Sequence, residues 1–355
     1  MVRKALLFIP DISGFTEFVS HTDINHSRHI ISELLELLID ANTMQLELAE
    51  VEGDALFWYK FIDTTDLFQI EKQIEHMYLA FHTHLKRYEY QRICSCGACS
   101  SAYNLKLKFV VHFGDIEFID VKDTTKPYGK NVIIVHRLLK NEIPLSEYAL
   151  YSDAIIEALK DKALITLTSQ YDFGALSYSY KGLEDLKLKL PKIKLIPDDV
   201  PKFKVFDSTY KINAPVLDLY EVISNFDYRL LWTKGIDRLE YEKNKVNRSG
   251  LKHQCLINNK KIDQTTIKKE VDEGQLVYGE STKEIPFTNR TNVYYILEAL
   301  DGNRSKLHIE VYVDFKPFGF ILKPFIKKNF KKIISANINE LNLLIDSGFV
   351  LESKQ

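Results

Sequence analysis

Apolar residues along this chain recur at two different periods, and the changes of period mark its elements. Leu6 to Ile9 form a short continuous apolar run that reads as a buried strand. Pro10 stops it, Asp11 stands at its end, and Gly14 lets the backbone turn sharply into a helix. Ile30, Ile31, Leu34, Leu35, Leu37, Leu38 and Ile39 then crowd one broad helical face. Met44 to Ala49 and Ala55 to Phe61 read as two strands, with Glu52-Gly53-Asp54 as the turn of a hairpin. A second long helix is expected over 67–90, with Phe68, Ile74, Met77, Tyr78, Phe81 and Leu85 as its apolar positions. Leu105 to His112 reads as a strand broken by Gly114-Asp115, and Ile116 to Val121 as a further strand. Tyr128-Gly129 opens a helix carrying Val132, Ile133, Ile134, Val135 and Leu138, and 153–159 is one more. Tyr178 to Leu188 reads as a strand pair around Lys181-Gly182. One strand–turn–helix start among several hairpins predicts an α+β domain rather than a doubly wound sheet.

Pro191, Pro197 and Pro201 mark a linker over 191–205, so the expected organisation is 1–190, linker, and 206–350. In the second part a short strand (Tyr210 to Ile212) leads through Asn213-Ala214-Pro215 into an amphipathic helix with Val216, Leu219, Tyr220 and Ile223. Asn225 to Trp232 reads as a loop. Alternating strands follow at 239–241, 251–257, 262–271, 276–280, 291–297 and 306–314. A long helix over 321–347 closes the chain, with apolar positions Phe325, Ile326, Phe330, Ile333, Ile334, Ile338, Leu341, Leu344 and Ile345. An antiparallel sheet around a long terminal helix often encloses a cavity, for which Tyr228, Trp232, Tyr278, His308 and Phe318 are lining or core positions.

Composition narrows the choice of partner. The chain has 355 residues, is 45% hydrophobic and carries 21 Phe and 19 Tyr, ample for two cores. Its net charge of −2 excludes nucleic-acid binding through a bulk basic field. No apolar run reaches the roughly 18 residues of a membrane span. Four cysteines are too few for a disulfide scaffold, so a cytoplasmic, reducing context is expected.

A carboxylate at the end of a buried strand, before a Gly turn and a helix start, suits a hard cation with phosphate oxygens on the turn N–H groups. Asp alone is common in turns for its own hydrogen bonds, so a second carboxylate is required, and Asp54 in its hairpin offers one. Glu52 beside it either adds charge or is a hairpin residue. Here residues 1 to about 190 resemble a class III nucleotide cyclase catalytic domain, of ferredoxin-like α+β fold. Asp11-Ile12-Ser13-Gly14-Phe15-Thr16 and Gly53-Asp54-Ala55 match its two metal motifs. Phe109 to Gly114, Tyr128-Gly129 through Arg137-Leu138, and Tyr180 to Leu183 are similar to its later strands and helix. The resemblance implies two Mg²⁺ or Mn²⁺ ions on Asp11, Asp54 and the Ile12 carbonyl, with the triphosphate at Gly14 and Phe15. It also implies Glu50 at the base, Arg137 acting from the partner chain, and a homodimer. Ile133 stands where the family has Asn, and Lys126 stands at the second base-reading position.

Residues 206–350 resemble the START-like, polyketide-cyclase-type helix-grip family. The resemblance rests on Asn213-Ala214-Pro215, Trp232 with Gly235-Ile236, and Phe315-Lys316-Pro317, and implies a lipid or other hydrophobic ligand. Two functions follow from the pair of resemblances. One is a nucleotide cyclase tuned by that ligand; the other is a noncatalytic sensor built from the same parts.

Cys94, Cys96 and Cys99, spaced C-x-C-x-x-C, present thiolates suited to zinc. A fourth ligand is missing locally. His82 and His84 lie on the preceding helix, Cys255 lies in the other domain, and His21, His26 and His29 follow no ligand spacing. Incidental thiols or a redox pair are the other readings.

Overall fold

A computed structural model describes residues 2–20, 22, 24–62, 69–93, 97–159, 164–172, 174–192, 200–243, 245–257 and 259–349. The chain divides into two compact units. The first comprises 1–22, 27–87 and 101–193; the second comprises 194–355 with the short segments 23–26 and 88–100.

The first unit is built on β1 (Arg3–Ser13), whose residues from Ala5 to Pro10 are all buried. Both faces are covered, which explains the continuous apolar run. After it come α1 (Phe15–Ser20), α2 (Ile24–Asp40), the hairpin β2 (Glu47–Glu52) and β3 (Ala55–Phe61), and α3 (Ile70–Gln91). Next are α4 (Gly97–Ser101), which falls almost wholly in the second unit, and then β4 (Lys106–Val121), β5 (Thr124–Tyr128), α5 (Lys130–Leu138), β6 (Tyr148–Ser152), α6 (Asp153–Leu159), β7 (Ile165–Tyr171) and β8 (Gly174–Gly182). The strands form one sheet in the order β2-β3-β1-β4-β6-β8-β7, with β5 paired to β4. This is an α+β arrangement. On one face Ala5, Leu7 and Ile9 pack with Ile134, Val135 and Leu138 of α5. On the other, Phe8 stacks on Phe109 at 5.6 Å. Each such fully buried side chain contributes about 1.5–3 kcal/mol.

Polar side chains fix the helices. Gln73, fully buried on α3, accepts from the backbone N–H groups of Thr43 and Met44 at 2.8 Å and donates to the Ala41 carbonyl at 2.8 Å. His82 stands 2.6 Å from the buried Glu147, which Lys187 also reaches. Burial pushes the Glu147 carboxyl up, but the interactions with His82 and Lys187 outweigh it and hold it at about 2.

Three local expectations are corrected. Gly114 does not break a strand: β4 runs unbroken from Lys106 to Val121. A Cβ at Gly114 would stand 2.5 Å from Cγ of Asn131, so glycine is there to admit the Asn131 side chain. Gly114→Ala is therefore expected to cost about 1–3 kcal/mol by overpacking, measured by urea unfolding. Adding Asn131→Ala should recover part of the loss; a Gly114→Ala protein as stable as wild type would refute the packing account. The 178–188 stretch is not a strand pair, because β8 ends at Gly182 and a 3₁₀ turn over Glu184–Lys189 follows. That turn carries Lys187 to Glu147. Asn225 to Trp232 is not a plain loop. Asn225 caps a 3₁₀ turn by accepting from Asp227 N–H at 2.9 Å, and α8 (Arg229–Trp232) follows.

The second unit contains β9 (Phe203–Ile212), α7 (Val216–Ser224), α8, β10 (Arg238–Glu240), β11 (Lys252–Ile257), β12 (Lys260–Ile267), β13 (Leu276–Thr282), β14 (Thr288–Ala299), β15 (Ser305–Phe315) and α9 (Lys323–Asp346). The strands form an antiparallel sheet ordered β10-β11-β12-β13-β14-β15-β9. Ile326, Ile334, Ile338 and Leu341 of α9 share its core with Leu219 and Ile223 of α7 and with Leu307, Ile309 and Val311 of β15. Phe325 and Ile333, on the same helix, stay exposed. Of the residues named as cavity lining or core, Trp232 and Tyr278 are buried core, Tyr228 packs at its edge, and Phe318 is exposed. Trp232 donates to the Val222 carbonyl at 3.0 Å. Among the described residues, no helix is long and apolar enough to cross a membrane.

Candidate functional site

Strand register assembles the site. β1 lies between β3 and β4, so Asp11 falls opposite Ala55 on one side and Lys108 on the other. The β2–β3 turn brings Asp54 to the same end, and Ile12 N–H donates to the Asp54 carbonyl at 3.1 Å. Gly53 holds this turn with φ +68° and Gly14 opens α1 with φ +88°, both in the region that favours glycine.

The electrostatics are those of a carboxylate cluster short of positive charge. Burial raises the Asp11 carboxyl above the usual range; Lys108, its Nζ 3.4 Å from Oδ2, pulls it back, and Glu52 pushes it up again. Asp54 is likewise raised, by burial first and by Asp11 next. Two half-buried acids that repel each other, with a third acid coupled to them, fit a divalent cation: it would supply the missing charge and displace the Lys108 ammonium.

Glu52 is more than a hairpin residue. Its Oε1 is 2.8 Å from His136 Nε2, while His136 Nδ1 lies 2.7 Å from the Val132 carbonyl. The Glu52 hydrogen bond, opposed by burial, raises the imidazole pKa, and Phe57 meets the ring edge-on at 4.8 Å. Lys108 and His136 carry no motif. Only the β1–β4 register and the packing of α5 bring them here.

Glu50 and Lys126, on neighbouring hairpins, pair with each other at 2.8 Å. Arg137 pairs with Asp172 at 2.8 Å on an exposed surface. Ile133 is 55% exposed. Asn131 does not replace the Asn absent at 133. Its Oδ1 lies 2.9 Å from His112 Nε2 and its Nδ2 donates to the Asp115 carbonyl at 2.7 Å. Burial lowers the His112 pKa, so the ring is neutral; its Nε2–H donates to Asn131 and its Nδ1 accepts from the Ser152 hydroxyl at 2.6 Å. This buried chain fixes α5 and β6 to β4.

Cys94 and Cys96 lie outside the described residues, as does His21. Cys99 is buried on α4, with His26 Nδ1 3.6 Å from its Sγ. In the second unit, Asp207, His308 and Glu310 form a group with metal-ligand potential that the sequence did not reveal. Lys204 already sits 2.8 Å from Asp207 and 2.6 Å from Glu310, and Lys269 also reaches Glu310, so ammonium groups meet that charge.

A family model described as "Protein of unknown function (DUF2652)" matches residues 31–148. The "Uncharacterized protein Rv2561/Rv2562" of Mycobacterium tuberculosis is 33% identical over 157 residues, 43% of this chain and 73% of that protein. Among solved structures, the guanylyl cyclase Cya2 is similar with TM-score 0.42 and 14% identity, over 52% of this chain and 95% of that one. The guanylate cyclase domain of RhGC from Catenaria anguillulae, in complex with GTP, gives 0.40 and 12%, over 52% and 100%. The adenylyl cyclase CyaB from P. aeruginosa gives 0.37 and 13%, over 52% and 96%.

Proposed function

We propose, for a chain that belongs to the same family as the Mycobacterium tuberculosis protein Rv2561/Rv2562, that the first unit binds a nucleoside triphosphate with divalent cations at Asp11 and Asp54. Two copies associate to complete that site. The observation that carries the reading is the pair of mutually repelling, half-buried carboxylates at the end of β1 and in the β2–β3 turn. Mg²⁺ or Mn²⁺ there would neutralise triphosphate charge and make the ribose 3′-hydroxyl more acidic.

The chain's own residues have separate tasks. Asp11, Asp54 and the Ile12 carbonyl are the oxygen ligands. The turn at Gly14 and Phe15 offers backbone N–H groups to the triphosphate. Lys108, released from Asp11, stays beside the phosphates as a counter-charge. Glu52 is oriented by His136. Glu50 and Lys126 together present an acceptor and donors to the edge of a purine. Association is supported by exposed apolar side chains on the same elements: Val51 on β2, Ile119 and Val121 on β4, Tyr128 on β5 and Ile133 on α5.

The reaction served by this arrangement is cyclisation. The 3′-oxygen bonds to the α-phosphorus, the bond to the β-phosphate oxygen breaks, pyrophosphate leaves, and the hydroxyl proton is released. Arg137 of the second copy is the cation for the charge that develops. One observation favours a second, noncatalytic reading. Ile133 offers no hydrogen bond where the resemblance implies Asn, so the same site would bind nucleotide and sense it.

Incubation with Mn²⁺ and each of the four nucleoside triphosphates, beside Asp54→Ala, tests both. Cyclic product and pyrophosphate from wild type, lost in Asp54→Ala, are expected. Mn²⁺-dependent binding without product, lost in Asp11→Asn, would select the sensor. Absence of binding as well as product overturns both.

A further inference from the structure

We propose that one end of the second unit docks on an anionic lipid bilayer, with exposed phenylalanines entering the acyl boundary and lysines resting on the headgroups. Strand register gathers the apolar part. Thr288 lies opposite Phe315 and Val313 opposite Phe203, so the start of β14, the end of β15 and the start of β9 lie together. The turns beyond them are locked to each other. Lys316 N–H donates to the Phe287 carbonyl at 3.0 Å, and a Cβ at Gly319 would stand 2.4 Å from that same oxygen. A 3₁₀ turn over Gly319–Leu322 then leads into α9. Phe287, Phe318, Phe320, Ile321 and Phe325 are all more than half exposed, Phe318 most of all at 78%. Single apolar side chains on a surface need no explanation, but a group of five at one end does. Two of them are held out at a conformational cost. Phe287 and Phe318 both have φ +66°, in the left-handed region that bulky side chains rarely adopt. Their exposed rings gain little from the fold in return.

Charge selects the partner. The whole chain has a net charge of −2, yet residues 316–332 contain six lysines and no acidic residue. Lys316, Lys323, Lys327, Lys328, Lys331 and Lys332 are all exposed. Helical spacing of i, i+3 and i+7 puts Phe325, Lys328 and Lys332 on the outer face of α9, away from Ile326, Ile334 and Leu341 in the core. Apolar tips beside a basic face suit a bilayer surface: the rings reach the acyl boundary, and flexible lysine stems keep their ammonium groups at anionic headgroups. Among the described residues no helix is long and apolar enough to cross a membrane, so α9 lies on the bilayer and does not span it. A second copy would set this lysine field against its own image, which like charge opposes. A single-stranded nucleic acid would stack its bases along a basic groove, whereas these rings stand on exposed turns.

The test is co-sedimentation of the full chain with vesicles of phosphatidylcholine containing about one-quarter phosphatidylserine. Wild type should bind them, bind pure phosphatidylcholine far more weakly, and be released as salt is raised. Each lysine near such a surface adds about fivefold in affinity, so Lys328→Gln with Lys332→Gln should weaken binding about 25-fold. Asparagine tolerates the backbone of Phe318, so Phe318→Asn should keep or raise the melting temperature while lowering vesicle affinity about tenfold. Lys211→Glu, exposed at the other end of β9, should change affinity far less. Asp54→Ala should bind vesicles as wild type does, which separates this surface from the nucleotide reading. No binding to the phosphatidylserine vesicles, equal binding to pure phosphatidylcholine, an unchanged affinity in Phe318→Asn, or as large a loss in Lys211→Glu as in the double lysine variant would overturn the proposal. Single-stranded RNA bound in preference to vesicles would assign the surface to nucleic acid. Self-association lost in Phe318→Asn, without vesicle binding, would assign it to a second copy. Either result overturns the membrane assignment.

Discussion

Arg229→Met is expected to destabilise the second unit by about 3–5 kcal/mol, the range for removing one partner of a buried ion pair. Arg229 and Glu280 are 4% and 5% exposed, and Nη2 of the arginine is 2.5 Å from Oε2 of the glutamate. The guanidinium also lies over the Trp232 ring at 4.7 Å. The other carboxylate oxygen accepts from the Tyr278 hydroxyl at 2.7 Å, with His253 Nε2 3.4 Å away. Burial alone would push the Glu280 carboxyl up. Arg229, helped by His253 and Tyr278, overrides it and holds the group at about 2, against 4.5 for a free side chain.

The sign of the pH dependence follows. A depressed folded value means that the stability from Glu280 is complete above 4.5 and is lost as pH falls towards 2. Without Arg229, only His253 and Tyr278 oppose burial, so the loss of stability between pH 4.5 and 2 should shrink. Urea unfolding in a Trp58→Phe background, read by Trp232 fluorescence, isolates this unit. Glu280→Gln added to Arg229→Met should restore part of the loss, because no uncompensated charge remains. A single-variant loss below about 1 kcal/mol, in the range of exposed pairs, would refute the account.

Local chemistry in the sequence pointed to the elements that carry the acidic site, but not to its neighbours. Asp11 and Asp54 were singled out by strand-end and turn chemistry, although Pro10 does not stop the strand: β1 runs on through Asp11 to Ser13. Lys108 was not, since it meets Asp11 only through the register of β1 with β4. His136 was not, because it reads as one polar residue on a β-branched helix until α5 is laid on the sheet. Gly114 shows the opposite error. A glycine in an apolar run reads as a breaker, and nothing local says that it clears space for Asn131, 17 residues on. The contact of His26 with Cys99 was invisible for a similar reason, since it spans 73 residues of sequence. Arg229 and Glu280 look like ordinary surface charges in sequence, and burial alone gives them their weight.

In metal-free buffer at neutral pH, Asp54→Asn is expected to raise the melting temperature, while abolishing the gain that Mn²⁺ gives wild type. Asn keeps the turn preference of Asp and removes only the charge. Because the folded-state values of Asp11 and Asp54 are raised, the folded protein binds protons there more tightly than the unfolded chain does. Their contribution to stability is therefore greatest below the free-aspartate value of 3.8 and declines as pH rises through the raised values. A divalent cation reverses that decline, and its apparent affinity should grow over the same interval as protons leave. At a concentration of about 100 times the dissociation constant, it would stabilise the folded chain by about 2.7 kcal/mol. Differential scanning fluorimetry with EDTA or Mn²⁺, from pH 4 to 8, measures all of this on one protein. A lower melting temperature for Asp54→Asn in EDTA would show that the carboxylate is a turn cap rather than half of a strained acidic pair. An equal Mn²⁺ gain in both proteins would place the ion elsewhere, since a cation held by Asp54 has a reason to distinguish the two.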